Sequence, residues 1–219
     1  MAEESITDII RSGHNDLLRQ RLLEEPSVAD MKTAEGSSLL QYAAYCRNNE
    51  AVELLKPHRP DLNIFEAACL GETQVVKDLL GKEHDLINSF SADGFTILGL
   101  ASFFGHAELV RYLLVSGAEP DMASDNAQKV TPLHSACAIS DFTIADMLIR
   151  RGADVNVKQA GGYTPLHSAA HNGKSDLVLL LISNGADPDA RSDKGETPAT
   201  LALEKGFAEI ADLIRKQEA

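Results

Sequence analysis

The chain reads as an all-α solenoid, a tandem array of small helical hairpins stacked side by side, and three observations predict it. The hexapeptide TPLHSA occurs twice, starting at Thr131 and Thr164, and Thr197 opens the related TPATLA another 33 residues on. A fixed period of this size marks repeated supersecondary units. A second apolar stripe follows each motif, as in Leu109, Val110, Leu113, Leu114 and in Leu177, Val178, Leu181, Ile182, which is one face of a helix. Each stripe closes on SGA, RGA or NGA at Gly117, Gly152 and Gly185, where glycine takes the left-handed conformation that ends a helix.

Within one unit the elements follow in order. Thr131, Thr164 and Thr197 suit the N-cap of a first helix whose opening residue is Pro132, Pro165 or Pro198, a position where a missing N–H costs nothing. Glycines two residues before the threonine position, Gly36, Gly94, Gly162 and Gly195, suit a tight turn at the tip of a finger between units. Aligning on the alanine that ends TPLHSA selects Ala43, Ala67, Ala101, Ala136, Ala169 and Ala202, with steps of 24, 34, 35, 33 and 33 residues. The short first step, around KPHRPDLN, is nine below 33, so the finger there is expected to be missing or collapsed.

Composition bounds the function classes. With 219 residues, 44% of them hydrophobic and 24% charged, the chain can build one sizeable core or a stacked array. Thirty-three acidic against 20 basic residues give a formal charge of -13, which repels a phosphate backbone, so no nucleic-acid partner is expected. The opening MAEESITDII carries glutamates where a secretory signal carries lysine or arginine, and the longest strongly apolar run, Leu177 to Ile182, is too short to span a bilayer. A cytoplasmic protein with no membrane contact follows. Cys46, Cys69 and Cys137 are odd in number and widely spaced, as suits reduced thiols.

The stretch TPLHSAAHNGKSDLVLLLISNGADPDA, Thr164 to Ala190, resembles an ankyrin repeat nearly position by position. The resemblance covers essentially the whole chain and is strongest from Asp93 to Ala211. It implies a single domain over 1–219, an ankyrin-repeat solenoid of six clear repeats plus a degenerate N-terminal capping repeat, with approximate units 1–34, 35–63, 64–92, 93–127, 128–160, 161–193 and 194–219. Degenerate ends fit the need for a polar outer face, as in the tail IRKQEA. The resemblance also implies protein binding without catalysis, in a concave groove lined by the first helices.

Carried over to this sequence, the two residues after the paired small residues of each repeat face that groove: Tyr45 and Cys46, Cys69 and Leu70, Phe103 and Phe104, Ala138 and Ile139, His171 and Asn172, Glu204 and Lys205. Residues just before the threonine position add Phe95, Val130 and Tyr163. The candidate partner-binding set is therefore Tyr45, Leu70, Phe95, Phe103, Phe104, Val130, Ile139, Tyr163 and His171. A contiguous apolar strip on a charged protein marks an interaction site. The competing reading is that such side chains fold down to fill gaps, which applies first to Phe104 and Leu70 because their repeats depart most from the pattern. The expected partner is a basic protein or peptide bound by a monomer, and an inhibitor that occludes a partner enzyme would use the same groove.

The histidines invite two sharper readings. Ser135 and Ser168 adjoin His134 and His167 on a helix, where neighbouring side chains diverge, so no catalytic pair is expected. By resemblance, His134 and His167 match a strut that hydrogen-bonds neighbouring backbone. A zinc site from His134, Cys137, His167 and His171 is the rival; no CxxC or HExxH spacing supports it, and no cofactor or metal is expected. In GFTILGLA, Gly99 stands where the histidine should be, so that unit loses its strut, and Lys129 replaces the finger glycine two residues before Thr131.

Overall fold

The computed structural model describes residues 4–216, leaving the end of the IRKQEA tail outside. Fourteen α-helices occupy the described residues: α1 (Ile6–Ser12), α2 (Asn15–Glu24), α3 (Leu39–Tyr45), α4 (Asn49–Leu55), α5 (Ile64–Leu70), α6 (Thr73–Lys82), α7 (Ile97–Phe103), α8 (Ala107–Val115), α9 (Pro132–Ala138), α10 (Phe142–Arg150), α11 (Pro165–His171), α12 (Ser175–Ser183), α13 (Pro198–Glu204) and α14 (Ala208–Arg215). Among these residues the only β pairing is two isolated bridges, Lys32 with Ser38 and Phe90 with Thr96, at finger bases.

Helices of seven to ten residues are too short to persist alone in water, so packing must hold them. Odd-numbered helices stack in chain order, α1 on α3 and so on to α11 on α13, while α2 packs on α4 and α8, α10, α12 and α14 follow one another in a second layer. The core runs between the layers, through Leu40, Leu109, Leu113, Leu133, Leu148, Leu166 and Leu177, all essentially sealed from solvent. Capping follows the predicted chemistry at Thr131 and Thr197, which accept from the backbone N–H three residues on, and Thr96 does the same. Gly117, Gly152 and Gly185 close their helices at positive φ.

One predicted register is corrected. The N-cap of α5 is Asn63, whose side chain accepts from the Phe65 and Glu66 N–H groups while the Glu66 carboxylate accepts from the Asn63 N–H. This capping box makes Ala68, not Ala67, the equivalent of Ala101 and Ala136, so the steps become 25 and 33 in place of 24 and 34. Both alanines are fully buried, which is why composition could not choose between them. Leu70 then takes the first groove position and Gly71 the second, replacing Cys69 and Leu70; Cys69 is buried.

The finger missing from the short step is indeed absent. A short 3-10 turn over Lys56–His58 ends α4, and residues 59–63 lead straight to the α5 cap. Arg59 closes this connection, reaching the carboxylates of Asp30 and of Glu66 at 3.0 Å each. Glu66 is wholly buried, and its Oε1 meets Arg59 as a charge contact outside hydrogen-bond alignment. Without an intervening finger, the first finger lies against the third: a Cβ on Gly36 would stand 3.1 Å from that of Ala92.

Candidate protein-binding groove

The fingers are tied edge to edge by their backbones. Asp125 N–H donates to Gly94 O at 2.7 Å, Ala160 N–H to Gln128 O at 2.9 Å and Asp193 N–H to Gly161 O at 2.8 Å. Gly94 sits at φ 84°, and a Cβ there would come within 2.8 Å of the Asp125 carbonyl, so positive φ and close approach both require glycine. The fourth finger departs as its sequence predicts: it closes from Ser124 to Val130, two residues wider than its neighbours, with Lys129 at φ 51°.

His134 and His167 are backbone struts. The Nε2–H of His134 donates to Tyr163 O and that of His167 to Glu196 O, each at 3.1 Å, while both Nδ1 atoms face the hydroxyl of the helix-capping threonine. The Thr164 N–H donating to His167 Nδ1 defines that nitrogen as acceptor and Nε2 as the protonated one. Burial lowers the pKa of His134 to about 4 and that of His167 in the same direction, so both rings are neutral. Cys137 is sealed in the core, where burial pushes its thiol up to about 12. Among the described residues no cluster of three or more His, Cys, Asp and Glu side chains is placed to hold a metal ion. The rings of the four-residue zinc reading are committed to the backbone or, for His171, exposed.

The predicted strip divides into three connected parts. Tyr45, Phe95, Phe103 and Val130 share one open groove of about 780 Å³. Its floor is formed by Tyr42, Gly99, Leu100 and Ala138 from the first helices, and its walls by fingers carrying Glu35, Asp93, Asn126 and Gln128. Phe103, Phe104 and Ile139 line an adjoining recess with Arg47. Tyr163 and His171 lie further along, in a more polar stretch with Asn172, Glu204 and Lys205. Leu70 is half-buried and packs against the core.

An aromatic cluster anchors the first part. Tyr45 stacks on Phe104 with centroids 5.8 Å apart and tilts against Phe95 at 6.3 Å, and Phe103 stands edge-on to Phe104 at 5.2 Å. Phe104 also stacks on His106 and, with Tyr45 and Phe95, packs against the core. Phe103 is half-buried on the groove side. The Tyr45 hydroxyl accepts from Gln41 Nε2 at 2.9 Å, and burial holds its proton well above the usual phenol range. Tyr163 donates to Glu196 at 2.6 Å, a bond that raises the phenol pKa and lowers that of the carboxylate.

Sequence reasoning read Gly99 as a lost strut and not as part of the groove. His134 reaches across to the carbonyl preceding Thr164, which also accepts the finger-base N–H of Gln159; a side chain at position 99 would reach the equivalent Val130 carbonyl, which keeps only its finger-base bond from Ser124 N–H. With only hydrogen at Gly99, that space belongs to the groove. The signal was the absent histidine, and its consequence is a hole as well as a lost bond.

A family model for ankyrin repeats (3 copies) matches residues 64–159 and again 139–219. The chain belongs to the ankyrin-repeat family. Among its relatives, the mouse protein "Ankyrin repeat and SAM domain-containing protein 6" is 34% identical over 105 residues, covering 48% of this chain and 12% of that protein. Human "DNA-binding protein RFXANK" is 34% identical over 114 residues, 51% of this chain and 44% of that protein. A "Putative ankyrin repeat-containing protein" of Treponema pallidum is 28% identical over 163 residues, 74% of this chain and 46% of that protein. The matched stretch thus spans less than half the length of each. Ankyrin-repeat proteins are generally protein–protein interaction modules and typically non-enzymatic. Among the described residues no helix is long and apolar enough to cross a membrane.

Proposed function

We propose that this chain is a non-catalytic interaction module, cytoplasmic and monomeric, that holds a partner protein or peptide in the groove between its fingers and first helices. The observation that carries this reading is the convergence of Tyr45, Phe95, Phe103 and Val130 on one open groove of about 780 Å³. The chain has only seven Phe and four Tyr, and a concave apolar site with a few polar groups is where ligands bind. The formal charge of -13 favours a basic partner and speeds its approach. It equally opposes nucleic acid, so the DNA in the human relative's name is not carried over to this chain.

The test is affinity capture from native lysate with wild-type protein beside Phe103→Ala. The loss of this half-buried groove anchor is expected to weaken a specific partner by about 2 kcal/mol with little change in melting temperature. Phe104→Ala, by contrast, is expected to lower the melting temperature, because Phe104 packs on the core as well as on Tyr45. Undiminished capture by Phe103→Ala would remove the groove from the reading.

A further inference from the structure

We infer that the groove beside Gly99 selects an extended peptide segment carrying an apolar side chain with a lysine or arginine close to it in sequence. The inference rests on the proposed interaction role and deepens it by naming the ligand's chemistry. Three features of the site converge. The floor offers a recess for one apolar side chain, created where Gly99 replaces the strut histidine and walled by Phe103, Leu100 and Val130. The rim carries two carboxylates, Glu35 and Asp93, and its one ionisable base, His134, is held neutral by burial. Neither carboxylate forms an ion pair with a described residue; the hydrogen-bond partners of Asp93 are the uncharged side chains of Ser91, Tyr45 and, at 3.3 Å, Gln41. Two acidic groups beside an apolar recess, with no cation of their own, complement a ligand with one apolar and one positive group.

The main chain of the ligand is matched as well. The side-chain amides of Gln128 and Gln159 stand on the groove wall and make no hydrogen bond with a described residue. Each offers a donor and an acceptor, the pattern an extended backbone presents. A free lipid or small apolar molecule would leave those amides and the carboxylates unused, so a peptide fits the whole lining and such a molecule only its floor.

The experiment uses the full 219-residue chain and a positional library of synthetic decapeptides, with leucine or phenylalanine fixed at the centre and lysine, serine or glutamate at each neighbouring position, read by fluorescence anisotropy. The lysine sub-libraries are expected to bind best, with about a threefold preference over serine and more over glutamate. The double variant Glu35→Gln, Asp93→Asn is expected to abolish that preference while keeping the one for an apolar centre. Gly99→His is expected to fill the recess and weaken every apolar-centred peptide about tenfold or more, with a melting temperature equal to or above wild type. Lysine preference that survives the double variant, or apolar preference that survives Gly99→His with the fold intact, overturns the inference. If no sub-library is selected while wild-type protein still captures a partner through Phe103, the inference fails and the interaction role stands. If Phe103→Ala captures as well as wild type, the groove drops out of the proposed role and the inference falls with it.

Discussion

At the scale of single residues, one position of the repeat is used in opposite ways, as a strut at His134 and as an opening at Gly99. His134 is buried and neutral, with its pKa lowered to about 4 chiefly by desolvation, against about 6.5 in an unfolded chain. The folded state therefore binds fewer protons than the unfolded state between these values. The stabilisation is complete above pH 6.5, declines as pH falls through that window and is gone near pH 4. The full span amounts to at most about 3 kcal/mol, with His167 adding in the same direction. In His134→Gln, a non-titrating donor replaces the ring. Urea unfolding at pH 7 and pH 4 is then expected to show a smaller loss for the variant than for wild type, and equal losses would mean the ring is not the titrating group. Gly99 is this site emptied: where His134 fills and ties, Gly99 leaves a recess bounded by Phe103 and Val130.

At the scale of elements, the connection between α4 and α5 shows what a solenoid does without a finger. Elsewhere the finger backbones bond to one another; here Arg59 spans the gap to Asp30 and the buried Glu66. Removing one partner of a buried pair leaves a charge in low dielectric, whereas removing both is nearly neutral. Arg59→Met is expected to cost about 3 kcal/mol and the double variant with Glu66→Leu far less, as a double-mutant cycle in urea would measure; additive losses would show that the pair is not coupled. This element also shows how far the sequence was legible. The missing finger followed from the count alone, because a step so short has no room for one. The register of α5 did not, because Ala67 and Ala68 are both apolar, small and sealed; the deciding signal was Asn63 followed three residues later by Glu66, a cap that outranks an alanine match. In the groove, the end-of-helix positions Tyr45 and Phe103 were legible from the period. That Phe104 and Leu70 turn toward the core depends on packing between unequal repeats, which no single repeat encodes. The polar contributors, Gln128 and Gln159, carry no pattern at all and emerge only when the fingers are placed side by side.

At the scale of the whole molecule, stacking of neighbours alone sets how a lesion spreads. In a one-dimensional array stability is a sum of unit and nearest-neighbour terms, so position along the chain decides whether damage is local or global. Leu18 on α2 and Leu133 on α9 are both fully buried, and an alanine at either creates a cavity costing on the order of 3 kcal/mol. Yet α9 packs against α7, α10 and α11, whereas among the described residues α2 packs chiefly on α1, α4 and the turn that follows it. Leu18→Ala is therefore expected to fray the first hairpin and leave the groove intact, with hydrogen exchange quickened in residues 5–25 and peptide binding unchanged. Leu133→Ala breaks the stack at the groove itself, so exchange is expected to quicken through α7 to α11 and binding to fall with it. Were the two variants to quicken exchange uniformly along the chain, the units would be folding as one indivisible core, and the physical basis for assigning recognition to an inner face that stacking does not need would be lost.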